Sequence, residues 1–121
     1  MIKIRYAYRR SKNTISNKKL AKLSEKMFGN LVKGVVNIQK GIIALDAEMH
    51  ADEEAYLLER DSKQKDLWGI NLYPEFFGTD DFIEYDSMIN LRPSQGNRSR
   101  GVDDASIRKI IQSIVDKTIT P

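Results

Sequence analysis

Residues 17–49 read NKKLAKLSEKMFGNLVKGVVNIQKGIIALDAEM, and the reading of this stretch decides the fold. Leu20, Leu23, Met27, Leu31, Val35, Ile38, Ile42, Leu45 and Met49 follow one another by threes and fours. At ~100° per residue they fall in one stripe roughly 120° wide, which predicts a single amphipathic helix. At ~1.5 Å per residue such a helix is ~50 Å long, whereas a 100-residue domain has a radius of gyration of about 13 Å. It must either break near Gly34 or Gly41 or lay its overhang on a second copy of the chain. Both glycines flank the apolar stripe, where a missing side chain lets backbones approach. The expected partner is therefore a second copy, in a homodimer formed through the long helix.

Upstream, Ile2, Ile4, Tyr6 and Tyr8 alternate with Lys3, Arg5, Ala7 and Arg9, the period of a half-buried strand with a basic outer face. Residues 10–13 read as a turn. Ser16 suits a helix N-cap, with Ile15 and Leu20 at the spacing of a hydrophobic staple. Downstream, 55–59 and 67–73 read as strands joined by a polar turn, and 83–91 as a third strand closed by Pro93. A last helix, with Ile107, Ile110, Ile111, Ile114 and Val115 at helical spacing, runs from near Asp103 to Thr118. The order β-α-β-β-β-α predicts an α+β fold in a single domain, residues 1–121, with one long and one shorter helix packed on an antiparallel sheet.

Composition narrows the chemistry. The 121 residues contain no cysteine, which excludes disulfides, thiol nucleophiles, iron–sulfur clusters and cysteine-ligated zinc. No apolar run approaches the ~18 residues of a membrane span, and the start lacks the apolar stretch of a signal peptide. The expected location is cytoplasmic. No P-loop, GxGxxG, HExxH or GxSxG occurs, and no cofactor is expected. The net charge of +3 conceals an uneven distribution. Residues 1–40 hold eleven Lys or Arg against one acid, and residues 41–90 hold three against thirteen. Such asymmetry points to an anionic partner or to complementary surfaces within or between chains.

Three constellations offer chemistry. Lys19, Lys22, Lys26, Lys33 and Lys40 recur at helical spacing opposite the apolar stripe, a line that could track a phosphate backbone and bind nucleic acid without base readout. The bland reading is a solvated face. Asn90, Arg92, Gln95, Asn97, Arg98 and Arg100 lie in an acid-free segment between a strand end and a helix start, a candidate anion site with fork-shaped donors. Asp103 and Asp104 oppose an anion there, and the bland alternative pairs these arginines with Glu84, Asp86 or the acids of 46–54. In the third, Asp46 and Asp52 flank His50, candidates for proton transfer or for a Mn²⁺- or Mg²⁺-type ligand set. A lone histidine near acids is more often a helix cap. Trp68 and Gly69 read as core and bulge before any ligand contact.

The blocks HADEEA (50–55), DLWG (66–69) and INLRPSQGNRSRG (89–101) carry a resemblance. Over roughly residues 20–119 the chain resembles a family of small bacterial and archaeal proteins catalogued only as a domain of unknown function. That resemblance implies no activity and transfers no catalytic residue. The functional expectation is a small homo-oligomeric binding module for an anionic, phosphate-bearing partner, nucleic acid included. One alternative is a metal- or His-dependent hydrolase or nuclease joining 46–54 to the arginine loop; another is a structural or regulatory protein-interaction module.

Overall fold

The computed structural model describes residues 6–9 and 14–121. The elements in chain order are β1 (Tyr6–Arg9), β2 (Ile15–Ser16), α1 (Asn17–Met27), β3 (Val32–Asn37), β4 (Ile42–Leu45), α2 (His50–Leu58), β5 (Leu67–Leu72), β6 (Ile83–Glu84), α3 (Ala105–Thr118) and β7 (Ile119–Thr120). The main sheet has the order β1-β4-β3-β5-β6 with every neighbouring pair antiparallel, and β2 pairs with β7 in a short parallel ladder. The chain is thus α+β around an antiparallel sheet, as expected. The basic face read for residues 2–9 and the turn at 10–13 lie outside the described side chains.

The long helix is the main correction. α1 stops after eleven residues, because Gly29 adopts φ 86° and donates its amide to the Ser24 carbonyl, a glycine C-cap. Beyond it the chain is rich in β-branched residues, which lose rotamer freedom in a helix and pack well on a sheet. Val32, Val35, Val36, Ile42 and Ile43 accordingly form the β3–β4 hairpin, turned at Gly41. The Asn37 side-chain carbonyl holds this turn by accepting from the amides of Gln39 and Lys40. Gly34 sits in mid-strand, where a Cβ would lie 3.1 Å from Leu45 Cδ2. An eleven-residue helix does not overhang its domain, so the argument for a dimer through a long helix disappears with that helix. A second correction concerns 55–59, which forms the end of helix α2 and its C-cap Glu59, after the run His50-Ala-Asp-Glu-Glu-Ala. The third expected strand is paired only at Ile83–Glu84.

Other local expectations match. The Ser16 hydroxyl caps α1 by accepting from Lys19 N–H, and Ile15 and Leu20 are both buried in the core. α3 starts at a cap made by Asp104, whose carboxylate accepts from Ser106 N–H.

Strand alternation divides the interior in two. Val32, Val36, Ile43, Leu45, Trp68, Ile70 and Leu72 face α1 and α3, meeting Leu20, Leu23, Ile111, Ile114 and Val115. The reverse face carries Val35, Ala44 and Leu67 against Leu57 of α2. This second core is small, and polar residues continue it: Lys33 and Asn71 are cross-strand partners on the same face. Among the described residues no helix is long and apolar enough to cross a membrane.

Candidate functional site

The segment 86–101 lies along β5 on the α2 side of the sheet, and its hydrogen bonds explain why it is built as it is. Gly69 passes beneath Ser87 so closely that a Cβ there would sit 2.6 Å from both Ser87 Cβ and Oγ. Next to it Asn90, with no exposed surface, acts as a substitute strand partner. Its Oδ1 accepts from Gly69 N–H at 2.8 Å and its Nδ2 donates to Gly69 O at 3.0 Å. Arg92 is 7% exposed; its guanidinium donates to the carbonyls of Leu67 and Gln64 and lies 4.1 Å from the Trp68 ring centroid. Asn97 is buried, donates to the carbonyls of Asn90 and Gly101 and accepts from Asp103 N–H.

Three of the six loop residues read as an anion site, Asn90, Arg92 and Asn97, therefore spend most of their polar groups on the chain itself, Arg92 Nε being buried without a partner. Gln95 and Arg98 are exposed on the outer turn, and Arg100 pairs with Asp86 at 2.8 Å. The six do not converge on one point. Nor do the five lysines. Lys19, Lys22 and Lys26 stay on α1, Lys33 lies on β3, and Lys40 sits in the hairpin turn with its ammonium on the Asp61 carbonyl. Asp46 takes a left-handed conformation (φ 73°) ahead of α2. Among the described residues no three His, Asp or Glu side chains gather as a metal ion would require.

One residue from each constellation nonetheless reaches a common cavity. Lys33, His50 and Arg100, with Asn71, Glu84 and Asp86, line a space of about 360 Å³ between the start of α2, β5 and the 86–101 segment. Met49 and Met88 belong to the same lining and are 57% and 62% exposed. Asp46 and Asp52 do not line it, nor do Arg92 and Arg98.

His50 is the first residue of α2. Its Nε2 lies 2.8 Å from the Ile70 carbonyl, which only accepts, so Nε2 carries a hydrogen. Burial lowers the imidazole pKa below its usual 6.5; the Ile70 carbonyl, Asp86 and the Asn71 side chain pull it upward, and Lys33 pushes it down. Asn71, 6% exposed, donates through Nδ2 to Glu84 Oε1 at 2.8 Å and to the Asp86 carbonyl at 3.3 Å. Those two acceptors set the amide's orientation, and Asn71 Oδ1 is left buried without a partner. Glu84 Oε1 also accepts from the Tyr73 hydroxyl.

The cavity's cationic side is less occupied. Among the described residues Lys33 makes no ion pair, and its ammonium lies 4.9 Å from the Phe28 ring centroid. The N-cap of α2 is Met49, which offers no side-chain acceptor, and among the described residues the amides of His50 and Ala51 have no hydrogen-bond partner. Beneath this turn lies Glu53, fully buried, with neither carboxylate oxygen hydrogen-bonded. Burial raises its pKa well above the ordinary value, against the opposing pull of the Ala47 amide and Lys33.

Sequence reasoning missed Asn71, and treated Glu84 and Asp86 only as partners for arginines. A signal existed: Asn71 is the one polar residue in Leu-Trp-Gly-Ile-Asn-Leu, a run otherwise apolar enough to be buried on both faces.

No curated protein and no solved structure matches the chain. A family match covers residues 10–118, embracing all three helices and both blocks that meet at Gly69. On that match the chain belongs to the family described as Protein of unknown function (DUF5674).

Proposed function

We propose that this chain is a binding module for a small ligand with one anionic head, a phosphate or carboxylate, held where Lys33 meets the first turn of α2. The observation that carries the reading is the shared cavity. An ammonium without an ion pair and two helix-start amides without partners line the same space. Free amides at a helix start carry partial positive charge and favour an anion. Glu84 and Asp86 line the same cavity and disfavour a second anionic group; they suit a hydroxyl or ammonium on the ligand. Three charge-assisted hydrogen bonds at about 1.5 kcal/mol each correspond to a Kd on the order of 1 mM for the bare anion.

The test is a titration of isotopically labelled protein with sodium sulfate, followed through backbone amide shifts. Saturable shifts should centre on Lys33, His50 and Ala51, and Lys33→Ala should weaken binding about tenfold, the equivalent of ~1.4 kcal/mol. Shifts confined to α1, unchanged by Lys33→Ala, would contradict the reading.

A second reading keeps the nucleic-acid expectation. Lys22 and Lys26 are exposed on α1 and belong to neither of the ion pairs found among the described residues, Arg60–Glu59 and Arg100–Asp86. Filter binding at low salt, with retention falling steeply as salt is added, would support it; no retention of RNA or DNA would remove it.

A further inference from the structure

We infer that the cavity takes its anion together with a proton on His50, so that the occupied site holds an imidazolium beside the bound anion. The inference rests on the reading of the cavity just given and adds its regulation.

The geometry comes from one acceptor held by the ring and a cation that shares its cavity. Nε2 faces the Ile70 carbonyl at 2.8 Å. The Asn71 amide cannot turn a donor toward the ring, because its Nδ2 is committed to Glu84 and to the Asp86 carbonyl. What Asn71 offers is Oδ1, which is buried and unpartnered. A neutral imidazole has one N–H and an imidazolium has two. The Asn71 oxygen is a buried acceptor without a donor, at the usual cost. The charged form is the one that the Asn71 side chain favours.

The groups around His50 say what holds the ring neutral while the site is empty. From β3 comes Lys33, a cation with no ion pair. From β6 comes Glu84, already accepting from Asn71 and Tyr73. From the 86–101 segment come Asp86, which attracts the charged ring, and Arg100, its ion-pair partner. From α2 itself comes Glu53, whose carboxyl burial holds well above the ordinary range. Burial and Lys33 are thus opposed by hydrogen bonding and Asp86, and the balance falls on the neutral side. An anion seated against Lys33 cancels the cation's influence and adds attraction of its own, which tips the ring to its charged form. By linkage, a rise of one pKa unit on binding and a tenfold tighter hold by the protonated site are the same quantity.

His50 is the only histidine in the chain, so its ring signals can be followed without ambiguity. The experiment records the pH titration of the ring C–H resonances in buffer, in saturating sodium sulfate, and in sodium chloride of equal ionic strength. Sulfate stays fully ionised across the range and adds no titration of its own. The expected result is a midpoint about one unit higher in sulfate than in chloride, with sulfate affinity about tenfold greater on the acid side of the titration than on the alkaline side. His50→Gln should still bind sulfate and lose the pH dependence. An unmoved midpoint, with saturable shifts at Lys33 and Ala51, would overturn the proton coupling and leave the binding reading standing. Equal midpoints in sulfate and chloride would do the same. No saturable shift at any cavity residue would remove both.

Discussion

Replacing Asn90 by alanine removes three hydrogen bonds from the interior: the one accepted from Gly69 N–H, the one donated to Gly69 O and the one donated to Arg100 O. The site has no exposed surface, so water does not replace them without local opening. A net hydrogen bond contributes about 1 kcal/mol, and a buried donor left unpaired costs about 1–3 kcal/mol, so the expected loss is about 3–4 kcal/mol. With an unfolding entropy of ~2.1 cal/mol/K per residue, 3 kcal/mol lowers the Tm of this 121-residue chain by about 12 °C. Asn90→Asp should do no better. It keeps an acceptor for Gly69 N–H but turns an oxygen toward two carbonyls. Urea denaturation and thermal melts give the stability, and hydrogen exchange at Gly69 reports the bond directly. A loss under ~1 kcal/mol with unchanged Gly69 exchange would refute the claim that the 86–101 segment completes the sheet edge.

Three further outcomes follow from the same geometry. Gly69→Ala should cost about 1–3 kcal/mol, because the new Cβ meets Ser87 at 2.6 Å, and Ser87→Gly in the same chain should restore part of it; additive losses in denaturation would refute the contact. Arg92→Lys should lose about 2 kcal/mol, since an ammonium cannot both reach two carbonyls and stack on Trp68, whereas Arg98→Ala should change stability by under ~0.5 kcal/mol; equal effects would contradict the division of the loop. Glu53 has a folded-state pKa raised by burial, so its contribution is fully present below the ordinary value near 4.5 and is lost as pH rises through the folded value. Glu53→Gln should therefore show a flatter decline of stability with rising pH than the parent; parallel pH curves would show that Glu53 is not the titrating group.

The legible parts of the fold were those where one local rule acted alone. Ser16, Ile15 and Leu20 mark the start of α1 because cap and staple are short-range devices. The isoleucine spacing of α3 admitted no rival period. In 29–49 two rules competed. Leu31, Val35, Ile38, Ile42 and Leu45 satisfy a helical stripe, yet Val32, Val36 and Ile43 fall outside it and are buried all the same. Those residues, with Gly29-Asn30 just before them, carried the strand signal. The acidic composition of 50–58 obscured a helix that a run of Ala and Glu favours. For the site, His50, Lys33 and Arg100 were readable as chemistry but not as neighbours, because only the β3–β5 register and the path of 86–101 bring them together. Asn90, Arg92 and Asn97 were readable as a polar cluster, but residue type alone does not distinguish a side chain that binds a ligand from one that closes a sheet edge.

Where an anion sits can be seen directly. Crystals of the chain soaked in selenate, with data collected at the selenium edge, would locate it by anomalous scattering. The expected result is a peak within hydrogen-bonding reach of Lys33 Nζ and the amides of His50 and Ala51. Peaks only on the lysines of α1, or none in the cavity at saturating selenate, would contradict it.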